Sequence, residues 1–184
     1  DLNPADTGNM TLSAWVKPDG PQPEFATVAA KGLNDGYQMH LDSSGSDNRY
    51  PTFEQGGGGE VDWETPLSNG EWYHLVAVYK NLSSSAYAEL YVNGDLKENS
   101  SLSISSAPGD NFGIGNNLQA PDRHFNGYID EMRLYDRALV EDEITNLYDS
   151  AGALSPDKPD LGSHDTLVNT TYRLGSEVPS GQDI

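Results

Sequence analysis

Residues 69–81, which read NGEWYHLVAVYKN, decide the fold class. Side chains alternate along this run in two sets, and both sets are largely apolar. One set is His74, Val76 and Val78, and the other is Tyr73, Leu75, Ala77 and Tyr79. Successive side chains of an extended chain point to opposite faces, so this pattern predicts a strand that is covered on both sides. Trp72–Lys80 is therefore predicted to be a central strand of stacked sheets.

Outward from this strand, short runs rich in β-branched and aromatic residues recur between clusters of Gly, Pro, Asn and Asp. This spacing is typical of an all-β sandwich. The other predicted strands are Thr11–Lys17, Phe25–Lys31, Tyr37–Asp42, Tyr50–Glu54, Glu60–Thr65, Ala86–Val92, Phe112–Gly115 and Gly127–Tyr135. Asn93-Gly94-Asp95 is a turn signal, which predicts a hairpin between Leu90–Val92 and Leu96–Lys97.

One helix is predicted, from about Val140 to Ser150. Its apolar residues Ile144, Leu147 and Tyr148 fall on one face at helical spacing. The acidic residues at 141–143 suit the positive end of the helix dipole, and Gly152 suits the end of the helix. We expect this helix to lie as a lid on one sheet edge.

The chain changes character after the helix. LSPDKPDLGSHD (154–165) is a linker punctuated by proline and aspartate, and TLVNTTYRL (166–174) has the alternation of a strand. No partner for that strand is evident elsewhere in the chain. The predicted organisation is a sandwich domain at 1–152, followed by a linker and extended tail at 153–184.

Composition excludes several functions. The 184 residues include 29 Asp and Glu against 10 Lys and Arg, which gives a formal net charge of −19. Such a charge repels nucleic acid and anionic membranes. No apolar run is long enough for membrane insertion, and a chain without cysteine has no disulfide or thiolate chemistry. No secretion signal is evident and the first residue is Asp, so we expect a chain processed or excised from a longer one.

Four sequons point to the cell exterior. They lie at Asn9, Asn81, Asn99 and Asn169, and each meets the N-x-[ST] rule for glycosylation. The acidity also suits a protein that stays hydrated in high salt. We expect a secreted or cell-surface glycoprotein, with a saline habitat as a further expectation.

Four stretches resemble, in order, the laminin-G-like, concanavalin A-like jelly-roll superfamily. They are TLSAWVKPDG (11–20), NGEWYHLVAVYKN (69–81), LYVNGDLKE (90–98) and FNGYIDEMRLYDRALVEDEITNLY (125–148). The resemblance implies an all-β, two-sheet antiparallel sandwich with a concave face that binds sugars or proteins, and catalysis only in some branches. The motif tryptophans Trp15 and Trp72 are expected in its core.

Two departures from the family pattern carry expectations. Family members commonly open with a further strand, whereas this chain starts almost directly at Thr11, so an edge strand is expected to be missing or supplied from elsewhere. Val140 stands where the family tends to have Ser, which predicts a helix start that lacks a hydroxyl cap and frays.

GGGGEVDWET (56–65) places Glu60, Asp62 and Glu64 on one face of the predicted strand. This row resembles the E-x-D-x-E strand of retaining β-glucanases of the superfamily, where the first Glu is the nucleophile and the last is the acid/base. Retention needs carboxyl groups about 5–5.5 Å apart, and positions i and i+4 of a flat strand are farther apart. We interpret the row as a solvent-facing strand backed by Val61 and Trp63, and expect no catalysis.

Asp130 is the metal candidate. The resemblance implies that the I-D-E strand supplies a Ca²⁺ ligand together with an acid from the opening segment, here Asp6 or Asp1. A structural calcium ion is thus the implied cofactor. The alternative is that Asp130 pairs with Arg133 or Arg137 at a strand end.

Sugar binding would need exposed aromatic rings that stack on pyranoses and amides that bond hydroxyls. The candidate platform is Trp63, Tyr50, Tyr37, Asn116 and Asn117. The histidines show no paired metal spacing and are interpreted as core or surface filler. They are His40, His74, His124 and His164.

Three functions are open at this point. The first is a non-catalytic extracellular binding or adhesion module for a glycan or a surface protein. The second is a structural subunit of a surface layer or filament that assembles by strand exchange through residues 160–184. The third and least favoured is a β-glucan hydrolase that uses Glu60 and Glu64.

Overall fold

A computed structural model describes residues 8–44, 47–56, 59–82, 85–107, 109–151 and 172–174. Within these residues lie eleven strands and one helix. The strands are β1 (Asn9–Pro18), β2 (Ala26–Lys31), β3 (Tyr37–Ser44), β4 (Asp47–Gln55), β5 (Gly59–Asp62), β6 (Tyr73–Leu82), β7 (Ser85–Val92), β8 (Asp95–Ser101), β9 (Phe112–Ile114), β10 (Gly127–Tyr135) and β11 (Tyr172–Leu174). The helix is α1 (Glu141–Ala151).

The strands form two antiparallel sheets. One sheet has the order β11-β10-β1-β6-β7-β8, and the other has the order β5-β4-β3-β2-β9. Period-two alternation sends one set of side chains from each sheet into a shared core. Leu12, Leu75 and Leu90 of the first sheet and Met39 and Phe53 of the second are fully buried there. The predicted all-β, two-sheet sandwich with one short helix is confirmed.

The double apolar pattern of β6 has a clear structural cause. Leu75 and Ala77 enter the core between the sheets, while Val76 and Val78 form a second buried cluster on the other side. Ile144 of α1 belongs to this second cluster. The helix therefore covers the outer face of the six-stranded sheet. The expectation that it lies on a sheet edge is wrong, because the second apolar face of β6 gives it a site to pack.

The two motif tryptophans are not in the core between the sheets. Trp15 is half-buried on the outer face of the six-stranded sheet, with its ring stacked 5.2 Å from His74 and 5.7 Å from Tyr148 of α1. Trp72 is half-buried just before β6, with its ring 6.4 Å from that of Tyr128. The expectation for both is wrong. Trp15 points to the same side of β1 as Ser13, which is the outer side, whereas Leu12, Ala14 and Val16 point into the core.

The predicted hairpin is confirmed. Asn93 and Gly94 have φ angles of 55° and 83° and connect β7 to β8, where Val92 pairs with Asp95. Two consecutive positive φ angles match the twist of antiparallel strands, and Asn-Gly adopts them at low cost.

The start of α1 is held without a hydroxyl cap. The Val140 N–H donates to the Glu143 carboxylate at 3.1 Å, and Arg137 donates to both oxygens of that carboxylate at 2.7 Å. The hydrogen bonds from Arg137, followed by the one from Val140, lower the pKa of Glu143 to about 2. This reaching-back glutamate satisfies a terminal N–H in the way that a capping box does. The prediction of a frayed helix start is therefore wrong, because these hydrogen bonds hold the first turn of α1.

The tail has a partner within its own chain. Tyr172–Leu174 pairs antiparallel with Gly127–Ile129 of β10, on the side of β10 away from β1. The pairing satisfies main-chain N–H and C=O groups of β10 that would otherwise lie on an open sheet edge. The expectation that the tail lacks an internal partner is wrong for these three residues, because alternation alone does not reveal which edge a distant strand joins.

Within the part of the chain that the structure describes, no helix combines the length and the hydrophobicity that a membrane span requires.

Candidate functional site: the polar face of the five-stranded sheet

One side of the five-stranded sheet carries polar side chains. Alternation sends Met39, Leu41 and Phe53 into the core, so the residues between them face the other way. Register places Glu60 opposite Glu54 and Glu54 opposite Gln38, with Asp62, Thr52 and His40 in the next row. We call this surface the polar face. Its members are Gln38, His40, Asp42, Tyr50, Thr52, Glu54, Glu60 and Asp62.

His40 lies in the middle of the polar face and is completely buried. Neither ring nitrogen makes a hydrogen bond within the described part of the chain. Its Nδ1 lies 3.9 Å from Glu54 Oε1, which is too far for a hydrogen bond. Burial, and then the Arg123 charge, lower the pKa of His40 to about 3. The imidazole is therefore neutral at physiological pH, and the contact with Glu54 is not an ion pair.

Glu54 is largely enclosed, with 17% of its side chain exposed. It accepts a hydrogen bond from Gln38 Nε2 at 3.0 Å. Burial raises the pKa of Glu54, Glu60 and Asp42 raise it further, and Arg123 opposes the rise.

A strained aromatic residue borders His40. Phe25 has a φ of 58°, and its ring meets that of His40 edge-on at 5.5 Å. The Arg123 guanidinium lies 4.3 Å from the Phe25 ring centre, and the Arg123 carbonyl accepts the Thr27 N–H at 2.8 Å. A positive φ in a bulky residue is unfavourable, and such strain is often found at binding sites. It also explains why β2 begins at Ala26 and not at Phe25 as predicted.

The carboxylate row of residues 56–65 breaks before its last member. β5 ends at Asp62, and the Thr65 N–H donates to the Trp63 carbonyl at 2.7 Å in a tight turn. Glu60 and Asp62 share the polar face, whereas Glu64 is exposed beyond the strand. The predicted strand to Thr65 is therefore too long, and Glu60 and Glu64 do not form a row. The cross-strand neighbour of Glu60 is Glu54.

The predicted sugar platform is divided by the fold. Tyr50 is half-buried on the polar face, opposite Asp42. Trp63 packs against the core from the edge, and Lys97 Nζ lies 5.5 Å from its ring centre. Tyr37 is fully buried between the sheets, where burial raises the pKa of its hydroxyl above the ordinary value. Tyr37 is thus removed from any surface platform, because its odd position on β3 faces the core.

The two asparagines have different environments. Asn117 is buried and donates through Nδ2 to the Gly32 carbonyl and to Gln38 Oε1, at 3.0 and 2.9 Å. It braces the polar face from one side and is not an exposed sugar contact. Asn116 has a buried Oδ1 without a hydrogen-bond partner among the described residues.

Sequence reasoning missed His40, Glu54, Phe25 and Arg123 as members of one site. The signal for the first two is present, because YQMHLD (37–42) and TFEQ (52–55) alternate core and polar residues. Phe25 and Arg123 lie in loops that meet only in the folded chain, so spacing carries no sign of them.

Asp130 stabilises a strand irregularity. Its Oδ1 accepts the N–H of Glu131, a residue with a φ of 47° where β1 and β10 change register. Arg133 pairs with Glu131 and Arg137 pairs with Glu143, so neither makes the expected pair with Asp130. The described residues contain no group of three or more His, Asp or Glu suited to a metal ion. Asp6 and Asp1 lie outside the described residues, and calcium binding stays a prediction.

The sequons differ in accessibility. Asn81 and Asn99 are exposed, whereas Asn9 is half-buried and accepts the Asn81 N–H through Oδ1 at 2.9 Å. Asn169 lies outside the described residues. Glycosylation of these sites stays a prediction.

Solved structures share this architecture. A Bacteroides ovatus protein assigned to carbohydrate binding is 21% identical with a TM-score of 0.63, and the alignment covers 76% of this chain but 40% of that one. Domain 4 of the extracellular arabinanase AbnA from Geobacillus stearothermophilus, in complex with arabinotriose, is 25% identical with a TM-score of 0.58, over 77% and 66% of the two chains. The sialidase module CBM40 of Ruminococcus gnavus, bound to α2,3 sialyllactose, is 14% identical with a TM-score of 0.59, over 77% and 83%.

No curated protein matches the sequence of this chain. The family profile described as the concanavalin A-like lectin/glucanases superfamily matches residues 1–145. That range includes the strands of both sheets up to β10 and the first turn of α1. The chain therefore belongs to the concanavalin A-like lectin/glucanase superfamily.

Proposed function

We propose that this chain is a non-catalytic glycan-binding module whose binding surface is the polar face. The observation that carries the proposal is His40, a buried imidazole in the middle of a row of hydrogen-bonding side chains. Its two nitrogens have no hydrogen bond within the described residues. A buried polar group left in that state costs about 1–3 kcal/mol, so it calls for a partner. A sugar hydroxyl both donates and accepts, which matches a neutral imidazole.

The surroundings of His40 supply the other parts of a sugar site. Tyr50 and Phe25 offer half-buried aromatic rings, and the carboxylates of Glu60 and Asp62 offer hydrogen-bond acceptors at the surface. Aromatic faces with a few fixed polar groups are typical of small-molecule sites. Arg123 is stacked on Phe25, and we propose that a rotation of its side chain opens the path to His40.

The comparisons support this class of function. The arabinanase domain and the sialidase module named above were solved with arabinotriose and with sialyllactose. The likeness to the sialidase module is one of fold alone. We extend glycan binding to this chain because the fold occurs together with a polar face whose buried His40 has no hydrogen bond within the described residues.

The geometry of the acids supports binding over hydrolysis. Glu60 and Glu64 do not share a strand row, since β5 ends at Asp62. A retaining enzyme needs a nucleophile and an acid that flank the scissile bond. We therefore propose no reaction for this chain. Hydrolysis of a β-glucan that is lost in Glu60→Gln would contradict that view.

Binding can be tested by isothermal titration of the intact chain against a panel of oligosaccharides that includes arabinotriose. Tyr50→Ala is expected to weaken the affinity about tenfold, equivalent to about 1.4 kcal/mol. The matched control is Tyr87→Ala, because Tyr87 is a half-buried tyrosine of β7 on the other sheet. Equal affinities for the wild type and Tyr50→Ala, or no binding to any sugar, would overturn the proposal.

Self-assembly through the tail is a second candidate function. The observation in its favour is the pairing of β11 with the edge of β10. The same main-chain pairing can be made by the tail of another copy, which would link copies by strand exchange. Light scattering of the intact chain and of a chain lacking residues 160–184 tests this idea. Oligomers that disappear on truncation support exchange, whereas a monomeric intact chain or oligomers unchanged by truncation refute it.

A further inference from the structure

We propose that the polar face prefers a glycan carrying a protonated amine, such as an oligomer of glucosamine, with the ammonium group held between Glu54 and Glu60. This inference rests on the proposed glycan binding and adds the charge class of the sugar. It follows from three features of the face, which are the cross-strand glutamate pair, the surrounding charges and the unsatisfied imidazole.

The glutamate pair is fixed by the sheet. Glu54 and Glu60 are direct partners in the β4–β5 ladder and lie on the same side. Side chains of such partners have Cβ atoms about 4.5–5.5 Å apart, and like charges there repel. Among the described residues, neither glutamate forms an ion pair with a lysine or arginine. An ammonium group between the two carboxylates would donate hydrogen bonds to the oxygens of both.

The other charged residues of the polar face add to its negative charge. Asp42 acts on both glutamates and Asp62 acts on Glu60, and the pKa values of Glu54 and Glu60 are raised, first by burial and then by these neighbours. Arg123 is the opposing cation at Glu54, but its guanidinium is stacked on Phe25 at 4.3 Å. A bound cation would relieve the repulsion, and a bound carboxylate would add to it.

His40 indicates that the site takes a polar ligand and is not only an acidic surface. It is completely buried, its Nδ1 lies 3.9 Å from Glu54 Oε1, and its two nitrogens have no hydrogen-bond partner in the described ranges. A neutral imidazole offers one donor and one acceptor. An amino sugar carries hydroxyl groups beside its amine, so one ring can satisfy His40 and the glutamates together.

The test compares three trisaccharides by isothermal titration at about pH 6, below the ordinary pKa of an amine. They are the glucosamine trimer, its N-acetylated counterpart and a galacturonic acid trimer. We expect the glucosamine trimer to bind about tenfold more tightly than the acetylated form, and the acidic trimer not to bind. Added salt should reduce the difference, because screening weakens exposed charge pairs.

Three variants locate the effect. Glu54→Gln and Glu60→Gln are each expected to remove most of the preference for the glucosamine trimer over its acetylated counterpart. Glu141→Gln is the matched control, because Glu141 is exposed on α1 at the outer face of the other sheet. Its preference should equal that of the wild type. A lysine tripeptide controls for general attraction by the chain's net charge of −19, and we expect it to bind at least tenfold more weakly than the glucosamine trimer.

The outcomes separate this inference from the proposed function. Equal affinity for the amine and the acetylated trimer overturns the inference but leaves glycan binding intact. A preference that survives both glutamate variants, or a lysine tripeptide that binds as well as the sugar, also overturns it. If no trisaccharide and no other sugar of the panel binds, the proposed function itself fails.

Discussion

Glu54 and Glu60 face each other across neighbouring antiparallel strands, on the side of the sheet that does not enter the core. Like charges at such positions destabilise a sheet. A chain that keeps this arrangement has a local conflict in an otherwise consistent fold, and conflicts of that kind are expected at functional sites.

Removing one charge of the pair should stabilise the fold. Glu60→Gln keeps the side-chain shape and ends the repulsion with Glu54, so we expect the free energy of unfolding to rise by about 0.5 kcal/mol. Urea denaturation measures this change. The control is Glu71→Gln, an exposed glutamate in the loop before β6. A decrease in stability for Glu60→Gln, or an equal gain in the control, would contradict the role of the pair.

His40→Leu should increase stability while it abolishes glycan binding. Leucine has a similar volume and removes two buried nitrogens that have no partner among the described residues. We expect the free energy of unfolding to rise by about 1–3 kcal/mol. A histidine retained for the fold alone would give the opposite sign. Urea denaturation and titration with the same sugar, run on one preparation, distinguish the two cases.

The fold should lose stability on mild acidification. Burial lowers the pKa of His40 to about 3 and that of His74 to about 4, below the unfolded value of about 6.5. The unfolded chain therefore binds more protons, and stability present above about pH 6.5 is lost as the pH falls toward the folded pKa values. Between about pH 6.5 and pH 5 each histidine accounts for roughly 2 kcal/mol.

Urea denaturation at about pH 7 and pH 5 measures this loss. The double variant His40→Leu, His74→Gln should lose most of the pH dependence of the free energy of unfolding between these two pH values. Glu54 acts in the opposite direction, because its raised pKa lets the folded state bind a proton more readily as the pH falls. A pH dependence unchanged in the double variant would contradict the assignment.

Trp15 should matter more for stability than Trp72. Trp15 joins β1, β6 and α1 through its stack with His74 and Tyr148, so Trp15→Ala should cost about 2 kcal/mol. The Trp72 ring lies 6.4 Å from that of Tyr128 and does not contact α1 within the described residues, so its replacement by Ala should cost about 1 kcal/mol. Thermal unfolding of both variants gives the order. An equal or larger loss for Trp72→Ala would argue against the packing described for α1.

The calcium prediction needs the intact chain. If Asp130 and the opening segment bind Ca²⁺, the ion should raise the melting temperature relative to a chelator, because binding to the native state stabilises it. Asp130→Asn should remove the effect. Identical melting with Ca²⁺ and with chelator would end the prediction and leave Asp130 as the residue that supports the β1–β10 irregularity.

The sequence predicts the strands well because their signal is local. The period-two pattern of residues 72–80 and the Asn-Gly turn at 93–94 depend on neighbours only. The alternation of a strand with two apolar faces does not show which face points to the core between the sheets. For that reason the pattern places Trp15 between the sheets, whereas in the structure it faces α1.

The candidate site is harder to predict because it is assembled from distant segments. The polar residues of β3 and β4 can be recognised by their alternation, but the burial of His40 depends on loops that carry Phe25 and Arg123. Their partners are set by tertiary packing and not by spacing. The end of β5 at Asp62 likewise depends on a turn, so a motif of three acids at strand spacing did not predict the geometry of Glu64.

The most direct test of glycan binding through the polar face is a map of amide chemical shifts during titration with a sugar that binds. Shift changes are expected to concentrate in β3, β4 and β5, around His40, Tyr50 and Glu60, and in the loop that carries Arg123. Changes confined to the outer face of the six-stranded sheet, or spread without preference over both sheets, would contradict the account.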